Sequence, residues 1–222
     1  MQKFDTPAPV SAIIDIPAGR VQFIAADRTD TTVEVLPADT AKSRDVKAAE
    51  QATVAYADGV LRIAAPAARK QYLGPSGSIE VTVQLPAGSR IEATAAAAEF
   101  RGVGRFGDVA LDGAHGDIKL DEAASVRLTA HAGDVTIGRL GGPADISTQK
   151  GHIRINEAAH GTLTLRTEYG DISVDAAHDV SATLDAGTGH GRISNALKNN
   201  GGVAALNIHA TTSHGDITAR SL

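Results

Sequence analysis

From Gly107 to Leu222 the chain alternates apolar and polar positions in short bursts, punctuated by turns that open with glycine: Gly116-Asp117-Ile118, Gly133-Asp134-Val135, Gly151-His152-Ile153, Gly170-Asp171-Ile172, Gly191-Arg192-Ile193 and Gly215-Asp216-Ile217. The spacing between these glycines is 17, 18 and 19 residues, then 21 and 24. Apolar pairs stand seven and five positions before the glycine (Val109/Leu111, Val126/Leu128, Ala144/Ile146, Leu163/Leu165) and two and four after it (Ile118/Leu120, Val135/Ile137, Ile153/Ile155, Ile172/Val174). Successive side chains of a strand point to opposite faces, so each pair lies on one face and each repeat supplies two short strands. A unit this small cannot bury its apolar face alone and must stack on its neighbours. The pattern predicts an all-β fold, a single-stranded β-solenoid of parallel β-helix-like form. Leu128, Ile137, Ile146, Ile155 and Leu165 should face inward, and Lys119 and Arg154 outward.

The first part of the chain is less regular. Ile14 and Ile16, then Val21, Phe23 and Ala25, then Val33 and Val35 mark strands, with turns at Pro17-Ala18-Gly19 and Asp27-Arg28-Thr29-Asp30. Residues 39–51 are rich in Ala and charge and predict the one short helix, a surface element with Asp39 or Ser43 as N-cap. Val54–Tyr56 and Leu61–Ile63 flank Asp58-Gly59, a hairpin signal. Residues 66–78 read as a loop, and Ile79, Val81, Val83 and Leu85 as a strand ended by Pro86-Ala87-Gly88. The expected organisation is residues 1–98 as irregular N-terminal β layers and cap, continuous with regular solenoid repeats over 99–222.

The far corner of each repeat carries small residues, such as Gly141-Gly142-Pro143 and Glu157-Ala158-Ala159. The last two layers loosen: Asn195 falls at an inward position and residues 194–205 insert a long loop. In chain order the final strand, Asp216–Arg220, would end the stack with an uncovered edge. This predicts a homodimer through the C-terminal layers, by edge pairing or by burial of Ile217 and Leu222 against a partner.

Composition narrows the class. Hydrophobic residues make up 42% of the 222, but aromatics only 3% and Trp is absent, so the interior is filled by Val, Ile, Leu and Ala, as thin stacked layers allow. A net charge of −5 with no basic stripe argues against nucleic-acid binding. The absence of Cys removes disulfides, thiol nucleophiles and thiolate metal sites. No apolar run reaches membrane-spanning length, and the start, Met-Gln-Lys-Phe-Asp-Thr-Pro, lacks the pattern of a leader, so the expected location is cytoplasmic, or the cell surface if a leader was removed.

Several phrases carry a family resemblance: Phe4-Asp5-Thr6-Pro7, Ala26-Asp27-Arg28-Thr29-Asp30, Tyr56-Ala57-Asp58-Gly59, Leu85-Pro86-Ala87-Gly88-Ser89 and His115-Gly116-Asp117-Ile118. Together they resemble the bacterial β-strand-repeat family called "putative adhesin", domain of unknown function 4097, in its actinobacterial members. The resemblance runs nearly end to end and implies a parallel β-helix-like fold with no established catalytic residues or ligand. His152 and Arg192 stand where that family usually has Asp or a small polar residue.

The candidate chemistry sits at the glycine corner. Asp117, Asp134, Asp171 and Asp216 follow the turn glycines and should line one edge of the stack at roughly 4.8 Å intervals. Such a row could bind Ca²⁺ or supply an acid–base pair acting on polysaccharide. The simpler reading is that Gly supplies positive φ and Asp caps backbone N–H groups. The full calcium-repeat motif is absent, and His152 and Arg192 interrupt the row. His190 and His214 precede turn glycines and could stack in adjacent layers, with His115 and His131 nearby, but no third and fourth metal ligand is in register. Gly102-Val103-Gly104-Arg105-Phe106-Gly107 matches a dinucleotide fingerprint literally yet leads into a strand, not a helix. The expectation is a non-catalytic scaffold or binding module for a macromolecule, protein or glycan, with no cofactor and no metal. Asp117, Asp134, Asp171, Asp216, His190 and His214 are its candidate binding residues. The alternatives are a polysaccharide-acting enzyme using corner Asp residues, or an accessory protein of an envelope-stress or transport system.

Overall fold

Among the described residues, apolar alternation is realised as strand almost throughout, interrupted by one helix. The structure is a computed structural model that describes residues 1–65, 77–199, 201 and 203–222, so most of the loop read at 66–78 lies outside the described residues. The chain divides into two compact units, Met1–Gly116 and Asp117–Leu222. Residues 98 and 99 lie inside a strand of the first unit.

The first unit contains β1 (Gln2–Asp5), β2 (Ser11–Ala26), β3 (Asp30–Pro37), α1 (Ser43–Gln51), β4 (Thr53–Ala57), β5 (Val60–Ala64), β6 (Ile79–Pro86) and β7 (Arg90–His115). The turn expected at Pro17-Ala18-Gly19 is instead a bend within one continuous strand. β2 runs parallel to β7 from Ser11↔Arg90 to Ala25↔Gly104, and only Pro17, which has no N–H to give, is skipped in that register. On its other side β2 pairs first with β5 and, beyond the bend, with β6. Both halves keep the same neighbour, so the chain turns a corner rather than reversing. Gly19 (φ +141°) makes the bend feasible, because a Cβ there would be driven into the Ile79 carbonyl oxygen.

Antiparallel pairings β1–β3, β3–β6 and β4–β5 border these parallel strands. The β4–β5 hairpin turns at Asp58 (φ 51°) and Gly59 (φ 77°), the two positive φ values that a tight two-residue hairpin of this hand needs. The helix starts at Ser43 with Lys42 in the N-cap position and no side-chain cap; Asp39 instead accepts the Ala41 N–H at 2.9 Å. Asp45 is buried, not on the surface, and accepts the Ser78 N–H at 3.0 Å, which ties α1 to the start of β6. The glycine-rich stretch 102–107 is part of β7.

The second unit contains β8 (Ile118–Ala132), β9 (Val135–Leu140), β10 (Ala144–Lys150), β11 (Ile153–Ala158), β12 (Gly161–Tyr169), β13 (Ile172–Ala176), β14 (Ala182–His190), β15 (Ile193–Ala196), β16 (Leu206–His214) and β17 (Ile217–Ser221). All pairings among them are parallel. One arm of the stack runs β8–β10–β12–β16–β14 and the other β8–β9–β11–β13–β17–β15. The inward columns follow the expected register, Val126–Ala144–Leu163–Ile208–Leu184 on the first arm and Ile118–Val135–Ile153–Ile172–Ile217–Ile193 on the second. Leu128, Ile137, Ile146, Ile155 and Leu165 are at most 1% exposed, whereas Lys119 and Arg154 face solvent.

The layers are not stacked in chain order. The last coil, β16–β17, is inserted between β12–β13 and β14–β15, so the expectation that Asp216–Arg220 ends the stack uncovered is corrected. β17 pairs on both sides, Ile217 is 1% exposed, and the Leu222 N–H is bonded to the Ala176 carbonyl at 3.0 Å. Insertion brings Arg220 beside Asp175, where the guanidinium donates from Nε at 2.8 Å and Nη2 at 2.7 Å. Had β15 been β13's neighbour, Ala196 would have stood opposite that mostly buried carboxylate. The outermost layer is therefore β14–β15, and Ile193 is 46% exposed because no further layer covers it.

Candidate functional site

Three repeated contacts build the corner where the candidate residues lie. Each turn glycine has positive φ, 144° at Gly151 and 155° at Gly170, and at Gly116, Gly151, Gly170, Gly191 and Gly215 a Cβ would run into a carbonyl of the adjoining layer, that of Gly151 for Gly170. Behind the glycines stands a row of inward threonines. The hydroxyls of Thr167, Thr212 and Thr188 donate to the carbonyls of Gly151, Gly170 and Gly215, each at 3.0 Å.

On the outside runs the row of residues that follow the glycines. The Asp117 carboxylate accepts the Asp134 N–H at 2.9 Å, Asp134 accepts the His152 N–H at 2.8 Å, and His152 Nδ1 accepts the Asp171 N–H at 3.0 Å. Asp171 then accepts the Asp216 N–H, and Asp216 the Arg192 N–H, both at 2.8 Å. The row is thus a ladder in which each side chain caps the backbone donor of the next layer. Its order, Asp171 then Asp216 then Arg192, is the inserted order of the coils. Arg192 can donate but has no acceptor to offer a further layer, and it occupies the last place.

The electrostatics follow from this geometry. The Arg192 N–H, followed by its guanidinium at 3.2 Å from Oδ2, holds the Asp216 carboxyl below the usual carboxylate range. To accept the Asp171 N–H, His152 Nδ1 must carry no proton in this contact. The 3.5 Å approach of the same nitrogen to Asp171 Oδ2 is therefore not a salt bridge in that state.

His190 and His214 do stack in adjacent layers, with ring centroids 4.7 Å apart and planes within 4°. Tyr169 extends the column, stacking on His214 at 4.8 Å and 9°. All three rings are exposed. Imidazoles lying face to face do not aim their nitrogens at a common point, and among the described residues no cluster of three or more His, Cys, Asp or Glu could hold a metal ion.

Two features of the corner escaped the reading by residue type. The threonines sit three positions before the turn glycine at Thr148, Thr167, Thr188 and Thr212, so a Thr-x-x-Gly phrase was available as a signal. Tyr169 occupies the position just before the glycine that His190 and His214 share, and that common offset would have placed it in their column.

The family model described as Toastrack DUF4097 matches residues 13–221. Among solved structures, the chain shows 15% identity and a TM-score of 0.47 to a "putative adhesin" from Bacteroides fragilis NCTC 9343, covering 98% of this chain and 95% of that one. It shows 9% identity and a TM-score of 0.44 to a "putative cell adhesion protein" from Clostridium sporogenes ATCC 15579, covering 100% and 98%. No curated protein matches the chain. The family match spans both units and takes in every corner residue from Asp117 to Asp216, and the chain belongs to the Toastrack DUF4097 family.

Proposed function

We propose that this protein is a non-catalytic scaffold or binding module whose glycine corner presents side chains to a macromolecular ligand. The observation that carries the reading is the ladder. Asp117, Asp134, Asp171 and Asp216 each spend a carboxylate oxygen on the N–H of the adjoining layer, so the residues best suited to acid–base chemistry are holding the stack together. A general acid needs a raised pKa, and the Asp216 carboxyl is pushed the other way. The exposed Tyr169–His214–His190 column offers flat aromatic rings and imidazole edges for contact, and its rings stack on one another at the surface.

Glycan and cell-surface protein panels, read for both binding and cleavage, test this reading. Binding should weaken in Tyr169→Ala and His214→Ala while the thermal midpoint changes little. Asp134→Asn and Asp171→Asn keep a carbonyl oxygen where the ladder needs an acceptor, so they should fold and bind as the parent does. Cleavage of any glycan that disappears in either Asn variant would replace the proposal with the hydrolytic alternative.

A further inference from the structure

The outermost layer of the second unit has two arms of different character. The β15 arm is only four residues long, Ile193-Ser194-Asn195-Ala196, follows Arg192 where the ladder stops, and carries Asn195 at an inward position. Its end is also tied down, since the Lys198 N–H donates to Ser221 Oγ at 2.9 Å and the Leu197 N–H to Asn195 Oδ1 at 3.0 Å. That arm is finished.

The β14 arm is not. It is nine residues long and its strand pairing, among the described residues, is with β16 alone, in a register without a bulge; on the other side its first residue is engaged, the Ala182 N–H donating to the Lys198 carbonyl at 3.1 Å, which leaves 183–190 as the open edge. Edge strands are ordinarily guarded by Lys, Pro, a bulge or an inward charge. Ala182-Thr183-Leu184-Asp185-Ala186-Gly187-Thr188-Gly189-His190 has none of these, and its inward Leu184 and Ala186 are only half-buried. Its one carboxylate, Asp185, points outward and lies 3.3 Å from His209 Nδ1 of the neighbouring strand.

We propose that β14 is an association edge through which two copies of the chain join, their β14 strands pairing antiparallel across a two-fold axis. Charge selects a second copy as the occupant. Antiparallel pairing that keeps inward residues together must centre on a residue, and a centre at Ala186 or Gly187 sets Asp185 opposite Gly187 or Gly189 of the other copy. Neither register faces a charge with its like; Leu184 falls opposite Thr188 or His190 and Ala186 opposite Ala186 or Thr188 of the other copy, so both half-buried side chains gain cover. Each copy offers the other the same short, nearly uncharged strand, so one contact closes the assembly at two.

Sedimentation of the full chain across a concentration series tests the proposal, with Gly187→Glu as the breaking variant. A Cβ at Gly187 meets nothing nearer than Thr211 Cγ2 at 4.0 Å, so the variant should fold. It places a carboxylate against Asp185 in one register and against itself in the other, and should weaken dimerisation by about tenfold or more. Gln149→Glu, the same charge change on an exposed position of β10, should leave it unchanged. Exchange of the 183–190 amides should slow as concentration rises. A monomer throughout the series, equal behaviour of the two Glu variants, open-ended oligomers, or exchange over 183–190 that ignores concentration would each overturn the proposal.

Discussion

The coils β16–β17 and β14–β15 carry nearly the same phrase, Thr212-Ser-His-Gly-Asp-Ile-Thr-Ala219 and Thr188-Gly-His-Gly-Arg-Ile-Ser-Asn195, yet one is an interior layer and the other an end. Of the four positions at which these phrases differ, two separate their roles. Asp216 accepts a bond from the following layer and donates to the preceding one, whereas Arg192 only donates. Ala219 is 1% exposed between Val174 and Asn195, whereas Asn195 has nothing beyond it to demand an aliphatic. A repeat protein can therefore set layer order by chemistry at the corner rather than by chain order. The layer that can accept is placed inside, and the one that cannot is placed last.

The largest expected difference between these layers is in packing. Ile217 and Ile193 stack on each other, but the first is 1% exposed and the second 46%. Ile217→Ala should cost about 2–5 kcal/mol, and Ile193→Ala about 1 kcal/mol or less, in chemical denaturation. Equal losses would mean that the two layers are equally enclosed, against the inserted order. Next come the threonines. Thr212→Val removes the hydroxyl of a buried side chain and strands the half-buried Gly170 carbonyl, and should cost about 1–2 kcal/mol, while Thr188→Val, at a half-buried side chain, should cost about 0.5–1 kcal/mol.

The ladder contributes less per rung, because its groups are exposed. Asp171→Ala removes the acceptor for the Asp216 N–H and should cost about 0.5–1 kcal/mol, most of it recovered in Asp171→Asn. Acid separates the two effects. A carboxyl whose pKa is lowered on folding stabilises the protein above its unfolded value, and that contribution disappears as pH falls through the folded value. Asp216 is lowered by the Arg192 N–H and guanidinium, so Asp216→Asn should show a shallower loss of stability below about pH 4 than the parent. In the first unit Asp30, held down to about 2 by hydrogen bonds from Arg28 and Lys3, should lose its contribution over the window from about pH 4 to pH 2. The smallest effect is at His152. His152→Asp should leave stability almost unchanged in chemical denaturation because one acceptor replaces another.

Much of this was legible in the chain. Spacing of two around a recurring glycine identified the inward columns from Val126 to Leu165, because the pleat obliges alternate residues to share a face whatever the neighbours are. Asp58-Gly59 announced its hairpin for an equally local reason, the positive φ that both residues tolerate. Other features were not local. The Pro17–Gly19 bend looked like a reversal because residue type reports a break in the strand but not which neighbour each half retains. The helix begins at Ser43 behind Lys42, which gives no side-chain cap, and Asp39 closes a separate turn ahead of it through the Ala41 N–H.

By itself the sequence determined the layer: two short strands, inward aliphatics, a glycine that no Cβ could replace, and a polar residue after it. These follow from backbone geometry within about twenty residues. Which layer lies beside which was decided only in three dimensions. Apolar burial disfavours Asn195 in the inner slot but has no direction, so by itself it does not fix which neighbours a coil takes. The choice fell to directional contacts between residues 45 positions apart, Asp171 with the Asp216 N–H and Asp175 with Arg220, which exist only when the last coil is inserted before the one that precedes it in the chain.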